Sequence, residues 1–91
     1  MIRIRFFARF GELFGPEIQT ETEQGTTLRQ LIQQVSRGYP EGQDAVFTKD
    51  GEFRRHVILM RNGARIDTDQ AAGIIVRDGD EIAIFPPVAG G

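Results

Sequence analysis

Ile2-Arg3-Ile4-Arg5-Phe6-Phe7-Ala8-Arg9-Phe10 is the stretch on which the fold turns. Ile2, Ile4, Phe6, Ala8 and Phe10 fall on one side of a two-residue period, and Arg3, Arg5, Phe7 and Arg9 on the other. A chain that alternates in this way predicts a strand with one face in a core and one in water, here over residues 2–10. Gly11 to Pro16 interrupts the pattern. Residues 17–23 then alternate again, with Ile18, Thr20 and Thr22 opposed to Gln19, Glu21 and Glu23. The two segments predict a hairpin with arginines of the first strand beside glutamates of the second, each such pair adding roughly 0.2–1 kcal/mol.

Further along, Leu28, Leu31, Ile32 and Val35 recur at helical spacing and predict an amphipathic helix. Thr27 followed by Gln30 fits a capping box at its start, and Gly38 with Pro40 closes it. Residues 40–55 read as irregular, with a turn at Asp50-Gly51. Val57 to Met60 predicts a short apolar strand, and Asn62-Gly63 a tight turn after it. Asp78-Gly79 leads into a last strand, Glu81 to Phe85, which directs Ile82 and Ile84 one way and Glu81, Ala83 and Phe85 the other. Pro86-Pro87 ends it. A hairpin, a helix and then further strands make an α+β domain. One main helix packed on one face of a mixed four- to five-stranded sheet buries every apolar stripe, which is the ubiquitin-like β-grasp arrangement. The expected domain spans residues 1–87, with a flexible tail over 88–91.

Composition narrows the function. The 91 residues are 40% apolar and 26% charged, which suits one soluble domain. A net charge of −2 argues against a dedicated nucleic-acid binder. No apolar run is long enough to span a membrane, and Met1 to Arg5 lacks the continuous apolar segment of a signal peptide. A cytoplasmic protein is therefore expected. The chain has no cysteine, which removes disulfides, thiolate-held clusters and thiol nucleophiles. His56 is the only histidine, so neither a metal site nor a bound cofactor is expected.

The chain ends Pro86-Pro87-Val88-Ala89-Gly90-Gly91. Nothing in the fold requires a terminal diglycine, and by itself it reads equally as an idle tail. In context it does not stand alone. The run from Asp78 to Gly91 resembles the C-terminus of the MoaD/ThiS-like sulfur carriers, and Met1 to Ala8 is similar to their first strand. Arg61-Asn62-Gly63 resembles their mid-chain turn, whereas residues 40–55 match poorly. The Phe-Pro-Pro-Val-x-Gly-Gly form is closer to MoaD, the molybdopterin synthase small subunit, and to archaeal modifiers than to ThiS.

The resemblance implies a sulfur carrier. Gly91 would be the reacting residue, adenylated with ATP by a MoeB-like activating enzyme and converted to a thiocarboxylate by a sulfur donor system. The sulfur would then serve molybdopterin biosynthesis with a MoaE-like large subunit, for a molybdenum or tungsten cofactor. ATP belongs to the activating enzyme, and the carrier supplies no active-site side chain. One alternative is a ubiquitin-like modifier joined to target-protein lysines by isopeptide bonds. The other is a non-covalent interaction domain with an idle tail.

Elementary chemistry supports the need for activation. A terminal carboxylate, with a pKa of about 3.3–3.7, is ionised and unreactive as an electrophile at neutral pH. Glycine has no Cβ, so a diglycine can enter a narrow tunnel, and Val88 to Gly91 extended would reach roughly 13 Å. Pro86 and Pro87 limit the entropy lost when such a tail docks.

Phe7 and Phe85 break the polar faces of their strands. They are either scattered surface hydrophobes or, if the strands are neighbours, a docking patch at the root of the tail. The resemblance extends that partner-binding set through Pro86, Pro87, Val88, Ala89 and Gly90. Arg65 stands where relatives often carry an apolar contact. Arg3, Arg5 and Arg9 read as a solvated face or as a complement to an acidic partner. His56 reads as structural, and Lys49 is the only lysine.

Overall fold

The structure, a computed structural model, describes residues 1–86. Its elements are β1 (Ile2–Phe6), α1 (Arg9–Phe14), β2 (Glu17–Thr20), α2 (Leu28–Ser36), α3 (Pro40–Val46), β3 (Ile58–Arg61), β4 (Ala64–Ile66), a 3-10 helix (Thr68–Gly73) and β5 (Glu81–Phe85). The strands form one mixed sheet in the order β2-β1-β5-β3-β4. The central pair, β1 and β5, runs parallel with Ile4 opposite Ile82 and Phe6 opposite Ile84, and the other pairs are antiparallel. This is the expected ubiquitin-like β-grasp.

Ile2, Ile4 and Phe6 from β1, Leu59 from β3, and Ile82 and Ile84 from β5 point to one face and are almost fully buried. Leu28, Leu31 and Ile32 of α2 cover them. The capping box predicted for α2 is present: the Thr27 hydroxyl accepts from Gln30 N–H, and the Gln30 side chain accepts from Thr27 N–H. Leu28 N–H donates to Ile74 O, and Val76 N–H donates to Thr26 O. These bonds fix the start of α2 against the segment that leads to β5.

Several readings needed correction. The first strand stops at Phe6 rather than Phe10. Phe10 N–H donates to Phe7 O around Ala8, whose φ of 52° is a backbone region that favours glycine. Arg9 therefore opens α1 instead of extending the polar face of β1. Phe10 reaches the core as part of a helical i, i+4 pair with Phe14, and both are buried. The first two strands remain antiparallel neighbours, but α1 lies within their connection, and β2 stops at Thr20 rather than residue 23.

Residues 40–55 are not all irregular, because α3 runs from Pro40 to Val46. Pro40, read as a stop for α2, occupies the first turn of this next helix, where its missing N–H costs nothing. The third strand is offset by one residue, Ile58–Arg61.

The two extra helices enlarge a small core. Phe14 stacks on Phe6 with ring centroids 4.2 Å apart, and Tyr39 tilts against Phe14 at 5.4 Å. Gly42 of α3 lies directly on the Phe14 ring. A Cβ there would come within 2.5–2.9 Å of three ring atoms. Phe14 has little room to retreat, since it is buried and stacked on Phe6.

Asp80 ties the β3–β4 hairpin to the start of β5. It accepts from Arg61 Nε at 3.1 Å, Asn62 Nδ2 at 3.0 Å and Arg77 N–H at 2.9 Å, and Arg61 Nη2 lies 3.0 Å from its carboxylate. Asn62 also accepts from Glu81 N–H. The tight turn predicted at Asn62-Gly63 is thus pinned by side chains, with both residues at positive φ. Burial alone would raise the Asp80 pKa. The hydrogen bonds from Asn62, the Arg77 backbone and Arg61, together with the Arg61 charge, outweigh it and hold the carboxyl below its usual value.

Two outcomes are expected. Gly42→Ala should lower stability by about 1–2 kcal/mol in urea denaturation, because overpacking outweighs the gain in helix propensity. A group whose pKa is lower folded than unfolded stabilises the fold above its unfolded value, about 3.9 for aspartate, and loses that contribution as pH falls through the folded value. Wild type should accordingly be more stable than Asp80→Asn at neutral pH. The two denaturation midpoints should converge as pH drops below about 4.

Candidate docking site

The face of the sheet opposite α2 has no helix on it among the described residues. Directly paired residues on adjacent strands project to the same side. Since Ile4, Leu59, Ile82 and Ile84 point inward, Arg3, Arg5, Ile58, Met60, Glu81, Ala83 and Phe85 point outward. Phe7 follows β1 and continues its parallel pairing, donating its N–H to Ile84 O at 3.1 Å.

Phe7 and Phe85 are brought together as the sequence suggested. Their rings stack with centroids 4.4 Å apart and planes 7° from parallel. Both are half-buried, and Pro86 beside them is also half-buried. The other residues assigned to this site, Pro87, Val88, Ala89, Gly90 and the reacting Gly91, lie outside the described residues.

Two members of the patch were missed in the sequence. Ile58 pairs with Phe85, and Met60 pairs with Ala83, so both extend the apolar surface from β5 onto β3. The signal was present in the Val57 to Met60 run, which is apolar at successive positions and therefore apolar on both faces of a strand. Read as a core strand, it concealed its outer half.

Charges surround this apolar centre. Arg3 bridges Glu17 at 3.5 Å and Glu81 at 3.9 Å, and Arg5 reaches Glu81 at 3.6 Å. The Arg5 guanidinium carbon also sits 5.2 Å from the centre of the Phe7 ring, within cation–π range. Arg3 and Arg5 are therefore engaged within the sheet. Arg9 is on α1. Arg65 pairs with Met60 on β4 and is exposed. His56 has a positive φ of 67° in the turn before β3, where it shapes the backbone. Among the described residues no group of three or more His, Asp or Glu side chains is placed to hold a metal ion.

The fold and this surface define a class: a small ubiquitin-like domain with a half-buried aromatic patch on the open sheet face, at the strand that leads to a diglycine. The chain belongs to the ThiS family, whose family model matches residues 4–91. It is 31% identical over 91 residues to small archaeal modifier protein 3 of Haloferax volcanii, covering 99% of this chain and 98% of that one. It is 32% identical over 91 residues to the molybdopterin synthase sulfur carrier subunit of Arabidopsis thaliana, covering 99% and 82%. The crystal structure of SAMP1 from Haloferax volcanii superposes with a TM-score of 0.85 at 28% identity, covering 99% and 98%. The relatives thus include both sulfur carriers and small modifiers.

Phe7→Ala should lower folding stability by only about 1 kcal/mol, since it removes one half-exposed aromatic stack and leaves the inner face intact. A thermal melt showing collapse would place Phe7 among the core residues instead.

Proposed function

We propose that the protein is a carrier whose reacting group is its own terminal carboxylate on Gly91. An activating enzyme transfers AMP from ATP to that carboxylate and releases pyrophosphate. Attack by a donor persulfide expels AMP, and a thiol then cleaves the resulting S–S bond to leave a thiocarboxylate. The sulfur goes to a pterin precursor held by a synthase subunit, as in molybdenum or tungsten cofactor formation. The reading is carried by one juxtaposition: a ThiS-family chain ending in Gly90-Gly91, with the half-buried Phe7–Phe85 stack on the open face of the sheet at the strand that leads to it. The 32% identical sulfur carrier subunit supports the delivery of sulfur to molybdopterin.

A second reading shares the activation step and differs in the acceptor. The activated carbonyl passes to a lysine amine of another protein, forming an isopeptide bond and expelling the activating group. The 31% identity to a small archaeal modifier protein favours it. Lys49 is the only lysine in this chain, so self-conjugation would be confined to Lys49 or the Met1 amine. In the structure that amine is paired with Asp78.

Intact-mass measurement after incubation with the cognate activating enzyme, ATP and a sulfur donor should show one oxygen exchanged for sulfur on Gly91. Species carrying Gly-Gly remnants on target lysines would establish the modifier reading. Deletion of Gly91 should abolish ATP–pyrophosphate exchange while changing stability by less than about 0.5 kcal/mol. The loss follows because misplacing a reacting group by about 1 Å already costs roughly 100-fold in rate. Normal exchange by the truncated protein would overturn both readings.

A further inference from the structure

One cross-strand row runs over the outer face: Glu17, Arg5, Ala83, Met60 and Arg65, each paired with the next. The apolar patch sits in the middle of this row and in the row beside it, where Ile58 pairs with Phe85 and Phe85 stacks on Phe7. An arginine therefore stands on each side of the patch. Three strand spacings separate Arg5 on β1 from Arg65 on β4, about 14 Å at the backbone.

The two arginines are differently placed. Arg5 shares Glu81 with Arg3 and lies over the Phe7 ring. Arg65 makes no ion pair among the described residues. The nearest carboxylate in sequence, Asp67, lies just past β4 at the N-cap of the 3-10 helix, where its N–H donates to the Gln70 side chain and its backbone carbonyl accepts from Gln70 N–H. Arg65 thus carries an uncompensated charge beside Met60 on an edge strand. Arg9 and Arg55 add cations near the end of the sheet where β5 finishes. Residues 7–11 and 54–58 hold no carboxylate, and Glu17, which opens β2 at the same end, is bridged to Arg3.

The chain is net acidic, yet the carboxylates on this face, Glu17 and Glu81, are paired with Arg3 and Arg5, so the charge left unpaired beside the patch among the described residues is basic. Glu21, Glu23 and Asp78 line a cleft with Met1, Ile75 and Arg77 at the end where β5 begins; Asp78 pairs with the Met1 amine, and Glu21 and Glu23 make no ion pair among the described residues. The uneven distribution of charge orients the molecule. An acidic surface would draw in the patch end and repel the opposite end.

We propose that Arg5 and Arg65 bracket the aromatic patch as the charged part of its docking surface. Their partner is an acidic protein surface, with an apolar pocket for Phe7 and Phe85 and carboxylates on both sides. That surface belongs to the enzyme that activates Gly91, so the inference rests on the function proposed above. Arg65 sets the charge preference, because its guanidinium is free to pair, whereas Arg5 already shares Glu81.

The test is ATP–pyrophosphate exchange by the cognate activating enzyme as a function of carrier and salt concentration. The carriers are wild type, Arg65→Glu, Arg65→Lys and the Gly91 deletion. For wild type, KM should rise with salt, as expected for steered association. Arg65→Glu should raise KM roughly tenfold or more at low salt with no matching fall in kcat, and its KM should change less with salt. Arg65→Lys should restore most of the affinity, because it keeps the charge. Circular dichroism melts of each variant separate docking from folding, and an exposed edge-strand substitution should leave them nearly unchanged. Wild-type exchange with an Arg65→Glu KM equal to wild type would overturn the charged bracket and leave the carrier reading standing. Normal exchange by the Gly91 deletion would overturn the carrier reading and this inference with it.

Discussion

The parallel pairing of β1 with β5 is the constraint that the rest of the molecule obeys. It brings Ile4 beside Ile82 and Phe6 beside Ile84 at the centre of the sheet. Parallel strands need a crossover rather than a tight turn, and the intervening chain must cover the apolar face they create. α2 does this with Leu28, Leu31 and Ile32. Because strand side chains alternate, committing one face of both strands to the core leaves the other face outward. Phe7 and Phe85 are side by side on that outer face for the same reason that Phe6 and Ile84 are neighbours within. The chain therefore leaves Phe85 at the middle of the sheet, beside the outer-face patch.

A small domain has little apolar area to bury, so its margins matter. The core is extended by aromatic stacking of Phe6, Phe14 and Tyr39, which joins β1 to α1 and to the start of α3. At the opposite end of the sheet the structure relies on a polar knot instead. Asp80 is buried and fully engaged by Arg61, Asn62 and the Arg77 backbone. It holds the β3–β4 hairpin against β5 and so fixes where Met60 and Arg65 stand relative to Phe85. Stability and docking geometry thus meet at one carboxylate, although Asp80 touches no part of the patch in the described contacts.

Much of the architecture was legible because its signals are local and periodic. The α2 capping box needs only Thr27 and Gln30 at the right spacing. Asn62-Gly63 is a strong turn at any address. The inward and outward sets of β5 follow from alternation alone. The errors also have local causes. Phe10 continued the alternation of β1 by coincidence, since a helical i, i+4 pair with Phe14 serves the same core. Pro40 punctuates equally well as the end of one helix or the start of the next, and the Pro-Glu-Gly-Gln-Asp run offers no apolar stripe to announce α3. In α2, Ser36 would read as polar surface. It is buried, and its hydroxyl donates to Ile32 O.

By itself the sequence determined the sheet's apolar face, the main helix and its cap, the diglycine ending and the placement of Phe7 and Phe85 on the outer side of their strands, because each depends on residues close together in the chain. Beyond the antiparallel pairing of the first two strands, only the tertiary structure decided which strands lie next to one another. Strand order joins residues about eighty positions apart, and periodicity carries no information about distant neighbours. From that order follow the stacking of Phe7 on Phe85, the recruitment of Ile58 and Met60 to the patch, the sharing of Glu81 between Arg3 and Arg5, and the position of Arg65 on the far side. Whether an exposed residue belongs to a surface is a property of its neighbours across the sheet, and those are set by how the chain packs.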